Sequence, residues 1–208
     1  MNFRYETKKQ SAGYKYIIGC DEVGRGCLAG PVVAAAVVLR PGIKYKVLGI
    51  RDSKLLSVEK REELTPIIKK LALAWSVAEV SSNEIDSINI HNASLLAMRR
   101  AVEALTFSNS RELEPEGFLA VDGRFEVPGL SVAQEAVIDG DNKILSIAAA
   151  SIIAKVYRDN LMQELHQRYP IYNLKQHKGY ATEYHRKMVI KKGLSPIHRL
   201  SFCQNLAI

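Results

Sequence analysis

The sequence has few of the features that secreted, membrane-spanning or zinc-binding proteins need. It has only three cysteines, Cys20, Cys27 and Cys203, and no Cys-x-x-Cys pair, so neither a disulfide framework nor a zinc site is indicated. Its longest apolar run, residues 32–39, is far shorter than the roughly 20 residues that cross a membrane. The polar N-terminal residues lack the apolar core of a signal peptide. We therefore expect a cytoplasmic protein with no membrane partner.

The chain also lacks internal repeats, low-complexity tracts and proline-rich linkers, so no domain boundary is indicated. Its 208 residues are enough to bury one full core. We expect one domain over residues 1–208, with a basic helical C-terminal part over roughly residues 165–208, and a monomer as the default. The net charge of +7 favours a polyanionic partner.

Two adjacent acids, Asp21 and Glu22, stand at the end of a pattern typical of a buried strand. An unpaired carboxylate is costly in a low-dielectric interior, so buried acids are normally paired with a base or bound to a cation. Gly24 and Gly26 permit close backbone approaches, and Arg25 offers a planar set of donors suited to phosphate. The stretch indicates a metal-assisted phosphate site. An ordinary capped turn with an ion pair between Glu22 and Arg25 is the alternative.

The same glycines fit a loose dinucleotide-binding motif, Gly24-x-Gly26-x-x-Ala29. That motif requires a helix directly after the glycines, whereas residues 31–39 begin with proline and are rich in valine, which favours a strand. A pyrophosphate would also face two acids with no cation between them. The sequence therefore disfavours a dinucleotide site.

Apolar periodicity and capping signals predict several further elements. They are a helix capped by Ser57 with a kink at Pro66 or a restart at Thr65, a strand over residues 75–80, a helix over 92–105, strands over 117–121 and 135–138, and a long helix over 142–168. Small residues at 148–151 would let the long helix pack closely on the sheet beneath the acids. Asp159, next to Arg158, is predicted to be a surface ion-pair partner, with a supporting role at the site as the alternative.

Three of the apolar runs end in acids with glycine nearby: Asp21, Asp122, and the pair Asp139 and Asp141. Neighbouring strands lie about 4.8 Å apart, so acids at their ends can converge. Their mutual repulsion would raise their pKa values unless cations neutralise them. Carboxylate oxygens suit Mg²⁺ or Mn²⁺, and two such ions can serve the hydrolysis of a phosphodiester. For each later acid taken alone, a plain Asp-Gly turn is the ordinary alternative.

The segment from Lys175 to Arg199 is strongly basic, with seven lysines and arginines against Glu183 alone. Histidines and aromatic residues are interleaved with these charges: His177, Tyr180, Tyr184, His185 and His198. Such a segment fits contacts to a nucleic-acid backbone, with a ring available to stack on a base or sugar. A solvated basic helix face is the alternative.

Six motifs between Ile17 and Phe202 resemble, in the same order, those of the type 2 ribonucleases H. They are Asp21-Glu-Val-Gly-Arg-Gly26, Asp52-Ser-Lys54, Val121-Asp-Gly123, Ala149-Ala-Ser-Ile-Ile-Ala-Lys155 with Arg158-Asp159, His177-Lys-Gly-Tyr180 and His198-Arg-x-Ser-Phe202. The first motif is highly specific, whereas Val-Asp-Gly alone is weak.

The resemblance implies an α/β protein with a ribonuclease H-like fold, in which helices flank a central mixed β-sheet and the C-terminal part is helical. It implies a metal-dependent endoribonuclease that cuts the RNA strand of RNA/DNA hybrids and duplex DNA containing ribonucleotides. We expect cutting on the 5′ side of the ribonucleotide, 5′-phosphate and 3′-hydroxyl ends, and two Mg²⁺ or Mn²⁺ ions as cofactors.

The resemblance also implies roles for individual residues. The metal-binding acids are matched by Asp21, Glu22 and Asp122, and the fourth active-site acid by Asp141. Gly24, Arg25 and Gly26 match the family's loop that reads the 2′-hydroxyl. Lys54 matches a nucleic-acid contact, and Tyr180 matches the tyrosine that lies against the following nucleotide. Asp139 stands where the family usually has a lysine, which leaves Asp139 or Asp141 as the fourth acid. Because successive strand residues point to opposite faces, Glu22 must use a local break in the strand or act indirectly.

Two rival classes compete with the nuclease. One is a hybrid-binding module that has lost its metals, and the intact acids argue against it. The other is a glycosidase with a carboxylate pair, which the basic charge balance and the Gly-Arg-Gly loop disfavour. Metal-dependent cutting of a ribonucleotide-containing duplex separates the nuclease from both.

Overall fold

A computed structural model describes residues 3–41, 49–105 and 116–206 of the chain. The strands in this part are β1 (Tyr16–Val23), β2 (Val32–Leu39), β3 (Ala72–Val80), β4 (Gly117–Asp122) and β5 (Ala133–Val137). The α-helices in this part are α1 (Arg4–Ser11), α2 (Val58–Leu71), α3 (Ser82–Glu103), α4 (Gly140–Lys143), α5 (Leu145–Arg168), α6 (Leu174–His177), α7 (Glu183–Lys192) and α8 (Leu200–Cys203). The helical C-terminal part expected from the sequence is therefore present.

The five strands form one mixed sheet in the order β3-β2-β1-β4-β5. The pairs β1–β2 and β2–β3 are antiparallel, whereas β1–β4 and β4–β5 are parallel. This confirms the expected central mixed sheet. Because β1, β4 and β5 run in the same direction, their carboxyl ends lie at one edge of the sheet.

Helices cover both faces of the sheet. All eight residues of β2 are buried, and they alternate between two cores. Val32 and Ala34 pack on the side of α3, whereas Val33 and Ala35 pack on the side of α2 and α5. A strand buried on both faces is apolar without alternation, which explains the valine and alanine run of the sequence.

Helix α2 continues through Pro66, so the predicted restart at Thr65 is wrong. Proline removes one helical hydrogen bond and strains the preceding turn. Leu64 and Ile68 are buried in the core on either side of it, and this packing holds the helix together. The Thr65 hydroxyl donates to the Arg61 carbonyl at 2.8 Å.

The predicted helix over residues 92–105 is only the second half of α3. The helix begins at Ser82, where Ser81 and Glu84 form a reciprocal capping box. Asn89, at φ 64° and ψ 164°, interrupts it, and its side chain accepts from the Asn92 N–H at 3.1 Å. The capping box is visible in the sequence as Ser81-x-x-Glu84, and that signal locates the missed first half.

Other boundaries differ by a few residues. Strand β3 begins at Ala72 and β5 at Ala133, earlier than expected, while the long helix begins at Leu145 after a separate short α4. Across the described residues, every helix is too short or too polar to span a bilayer.

Candidate active site

Three carboxylates meet at the carboxyl edge of the parallel strands. In the parallel register Cys20 of β1 pairs with Val121 of β4, so the next residues, Asp21 and Asp122, are neighbours on the same face of the sheet. Asp141 reaches them from α4, directly after β5. One carboxylate oxygen from each acid lies within 4.8 Å of the other two. The predicted convergence of acids from separate runs is therefore confirmed for these three.

A close contact at Gly140 brings α4 to the cluster. The Gly140 N–H donates to Asp122 Oδ1 at 2.7 Å. A β carbon at residue 140 would lie 2.6 Å from Ile147 Cδ1 and 3.0 Å from that same oxygen, so only glycine fits without displacement. Asp139, in the left-handed region at φ 54°, is exposed, whereas Asp141 is buried in the cluster. Of the two candidates for the fourth acid, the structure places Asp141 beside the others.

Two serines and a lysine surround the acids. The Ser151 hydroxyl of α5 faces Asp21 and by itself lowers the pKa of that carboxyl. The same hydroxyl is also 2.8 Å from the Ser53 hydroxyl. This contact anchors the turn that carries Lys54, whose Nζ lies 3.3 Å from Asp141 Oδ2. Lys54 is largely exposed, so its charge also faces solvent beside the site.

The pKa values of two of these acids, Asp21 and Asp122, are raised. Burial raises the pKa of Asp21 well above its usual range, and repulsion from Glu22 and Asp122 raises it further. Burial also raises the pKa of Asp122, with repulsion from Asp141 adding to it. Such a cluster favours either protons or cations. Its donor set, carboxylate oxygens alone, fits Mg²⁺ or Mn²⁺.

Glu22 lies next to this group but is not one of the three converging acids. Its N–H donates to Asp21 Oδ1 at 2.7 Å, and its side chain pairs with Arg25 at 3.2 Å. Burial raises the pKa of Glu22, Arg25 lowers it, and repulsion from Asp122 raises it. The ion pair considered as the ordinary alternative is therefore present. A metal-binding role for Glu22 stays a prediction.

The glycine loop and Tyr180 are neighbours, although they are far apart in sequence. Cys27 and Tyr180 form an antiparallel bridge, and the Leu28 N–H donates to the Gly179 carbonyl at 2.9 Å. The Tyr180 side chain is 41% exposed, which leaves its ring accessible beside the loop. The structure thus brings Tyr180 beside the glycine loop, and a nucleotide-contacting role for these residues stays a prediction.

Sequence reasoning misplaced several residues. The histidines at 177, 185 and 198 are buried, not part of an exposed basic surface. Asp159 forms ion pairs with Lys155 at 2.7 Å and Arg61 at 3.9 Å, but it is buried, so its predicted surface position is wrong. Arg199 was counted with the basic residues that fit nucleic-acid contacts, but it is fully buried against the glycine loop. Arg158, which was given no role, is fully buried there too. The only sequence signal for the arginines is their place in the Arg158-Asp159 and His198-Arg199 motifs.

The fold and site define a class. The chain resembles the structure of the PCNA:RNase HII complex from Archaeoglobus fulgidus, with a TM-score of 0.73, 28% sequence identity and coverage of 92% of this chain and 97% of that chain. The protein has the ribonuclease H-like fold.

The family follows from sequence comparison. The family model of ribonuclease HII matches residues 18–205. Ribonuclease HII of Caldicellulosiruptor bescii is 47% identical over 98% of this chain and 94% of its own length. That of Myxococcus xanthus is 50% identical over 96% of this chain and 65% of its own length. The chain belongs to the ribonuclease HII family and is a hydrolytic ribonuclease H, which rules out the glycosidase and the non-hydrolytic module.

Proposed function

We propose that the protein cuts the RNA strand of RNA/DNA hybrids, and duplex DNA on the 5′ side of embedded ribonucleotides, in a metal-dependent reaction. The observation that carries this proposal is the cluster of Asp21, Asp122 and Asp141 at the carboxyl edge of the parallel strands. One carboxylate oxygen from each acid lies within 4.8 Å of the other two. The family membership and the adjoining loop with Tyr180 support it.

The acids Asp21, Glu22, Asp122 and Asp141 are the residues that would hold two Mg²⁺ or Mn²⁺ ions. Such ions, when bound, supply activation of a water molecule and stabilisation of charge on the leaving oxygen. Attack of water on the phosphorus breaks its bond to the 3′-oxygen of the preceding nucleotide. The products then carry a 3′-hydroxyl and a 5′-phosphate.

The glycine loop is assigned to recognition of the ribose. The 2′-hydroxyl is the local feature that separates RNA from DNA. A β carbon at Gly26 would meet no atom within 4 Å, so the space beside this residue is open to a substrate. Arg25 is exposed and can contact phosphate, while Tyr180 offers a ring to the following nucleotide.

Exposed basic and aromatic side chains fit the backbone of a nucleic acid. Lys54 is exposed beside the acids. On α7, Tyr184 and Lys187 are also exposed, close in sequence to Tyr180. Together with the net charge of +7, these side chains favour a polyanion over a small acidic substrate.

The test uses a DNA duplex with one ribonucleotide, labelled in turn at each end of the cut strand. We expect one cut on the 5′ side of the ribonucleotide, only with Mg²⁺ or Mn²⁺, and ligatable 5′-phosphate ends. An all-DNA duplex is the substrate control and should stay intact. Asp21→Asn should lose the activity. Undiminished cutting by Asp21→Asn, or cutting without divalent metal, would refute the proposed site.

The single-domain organisation, the monomeric state and the cytoplasmic location stay predictions. Analytical ultracentrifugation checks the monomer directly.

A further inference from the structure

Two arginines are buried behind the glycine loop, and neither has an acidic partner in the part of the chain that the structure describes. Arg158 and Arg199 have no exposed surface, and within residues 3–41, 49–105 and 116–206 neither forms an ion pair. Their hydrogen bonds go to backbone carbonyls instead. Burial lowers the pKa of Arg199 to about 10, so it remains charged at neutral pH.

Arg199 binds the part of the loop that carries the Gly-Arg-Gly sequence. Its Nη2 donates to the Gly24 carbonyl and its Nη1 to the Arg25 carbonyl, both at 2.8 Å. Its Nε and Nη2 donate to the Gly30 carbonyl at 3.0 and 2.8 Å. Arg158 binds a different stretch, with donors to the carbonyls of Ala29, Pro31 and Lys178.

This arrangement is costly if its only purpose is stability. Burying a charge costs several kcal/mol, and well-packed apolar side chains in place of buried charges are often equally or more stable. Arg199 is also held firmly at its own backbone, because its N–H donates to the Leu28 carbonyl at 2.8 Å. The two residues after it, Leu200 and Ser201, donate their N–H groups to Asp86 at 2.8 and 2.9 Å. The guanidinium is therefore a fixed support for the loop.

The geometry of the peptide bond links this support to the substrate side. In a trans peptide the carbonyl and the following N–H point in opposite directions. Because the carbonyls of Gly24 and Arg25 point toward Arg199, the N–H groups of Arg25 and Gly26 point away from it. Neither N–H has a hydrogen-bond partner among the residues that the structure describes. Successive free N–H groups form a site for an oxygen acceptor.

We propose that Arg199 is a positioning residue that determines ribose specificity. By holding the carbonyls of Gly24 and Arg25, it directs the N–H groups of Arg25 and Gly26 to the 2′-hydroxyl oxygen of the substrate. This inference rests on the proposed function, since it takes the glycine loop as the ribose-reading element.

The experiment compares Arg199→Lys with Arg61→Lys. Lysine keeps the charge but cannot reproduce the planar set of donors. Arg61 is a matched control, because it is also buried and its Nη1 donates to the carbonyls of Ser53 and Leu56, at 2.8 and 2.7 Å, in another loop. Both substitutions are made in the Asp21→Asn background. Binding to an all-DNA duplex and to the same duplex with one ribonucleotide is measured with Mg²⁺ by fluorescence anisotropy, and thermal unfolding reports folding.

We expect the parent to bind the ribonucleotide duplex at least about tenfold more tightly than the all-DNA duplex, the effect of one or two hydrogen bonds. In Arg199→Lys the affinities for the two duplexes should differ by no more than about twofold, while the affinity for the all-DNA duplex stays the same as in the parent. Arg61→Lys should keep the parent ratio. If Arg199→Lys does not fold, Arg199→Gln, which keeps a neutral amide donor, is measured in its place.

An unchanged ratio in the folded Arg199 variant overturns the inference, as does an equal loss in Arg61→Lys. Cutting of the ribonucleotide duplex by the wild-type protein is measured in parallel. If the wild-type protein cuts but Arg199→Lys keeps the parent's preference for the ribonucleotide duplex, only the role of Arg199 is refuted. If the wild-type protein does not cut, both the proposed function and this inference are refuted.

Discussion

Gly19 of β1 lies directly against the Ser146 backbone of α5. A β carbon at residue 19 would clash with the carbonyl group of Ser146 and the nitrogen of Ile147. The contact lets the first turn of α5 lie on the sheet two residues before Asp21. It places Ser151 within hydrogen-bonding reach of Asp21 and keeps the preceding α4 beside Asp122.

Gly19→Ala is expected to destabilise the protein by about 1–3 kcal/mol or more, the usual cost of overpacking, because backbone atoms rather than a flexible side chain would have to move. Urea unfolding measures the change. Gly26→Ala serves as the stability control, since its β carbon would meet no atom within 4 Å. Equal unfolding midpoints for the two variants would contradict the close contact.

Metal binding should stabilise the protein through Asp141 and not through Asp139. A cation at 100 times its dissociation constant adds about 2.7 kcal/mol to the free energy of unfolding when it binds only the folded state. Asp141→Asn should abolish most of the rise in melting temperature on adding Mg²⁺ or Mn²⁺. Asp139→Asn is the matched control, because residue 139 is exposed and asparagine tolerates its left-handed conformation.

Scanning calorimetry with and without metal separates these outcomes. A metal-induced shift that persists in Asp141→Asn and disappears in Asp139→Asn would reverse the assignment of the fourth acid.

Lys54 is expected to contact one phosphate of the substrate. Its removal in Lys54→Ala should therefore lower the slope of log affinity against log salt concentration by about 0.9. The control is Lys15→Ala, because Lys15 immediately precedes β1, at the opposite end of the strand from Asp21, and pairs with Glu116. Salt titrations of duplex binding measure both slopes. Identical slopes for the two variants would remove Lys54 from the interface.

The buried histidine cluster should make the protein acid-sensitive. Burial lowers the pKa of His185 and of His198 to about 4, and their Nε2 atoms are 3.1 Å apart. Because the folded-state pKa lies below the unfolded value of about 6.5, their contribution to stability is complete above pH 6.5 and is lost as the pH falls toward 4. The groups facing them are His177, which stacks on His185, and the Tyr172 ring beside His198.

Urea unfolding at pH 6.5 and 5.0 tests this acid sensitivity. His198→Gln should reduce the loss of stability between these pH values by up to about 2 kcal/mol relative to wild type. The raised pKa values of Asp21 and Asp122 change the free energy of unfolding in the opposite direction, because their contribution falls as the pH rises above the ordinary carboxyl range. The histidine effect is therefore measured as the difference between the variant and wild type. His91→Gln, outside the cluster, is the control. An equal acid response in His198→Gln and wild type would contradict the buried neutral pair.

The sequence by itself determined the strand-ending acids, their order along the chain and most of the elements that carry them. These features depend on local patterns: apolar runs, glycine turns and capping residues recur at spacings set by the backbone. Even the missed first half of α3 has a local signal in Ser81 and Glu84. Asp21 and Asp122 could be predicted to meet because parallel strands end at one edge of a sheet.

Only the tertiary structure decided which charged side chains are buried. No local pattern shows whether Asp139 or Asp141 joins the acid cluster. The contact of Gly140 with Asp122 and Ile147 decides it, and that contact forms only in the folded protein. Arg199 is buried because carbonyls about 170 residues away in the chain accept its hydrogen bonds. The burial of a charge depends on partners that compensate for lost water, and those partners are brought together only when distant segments pack.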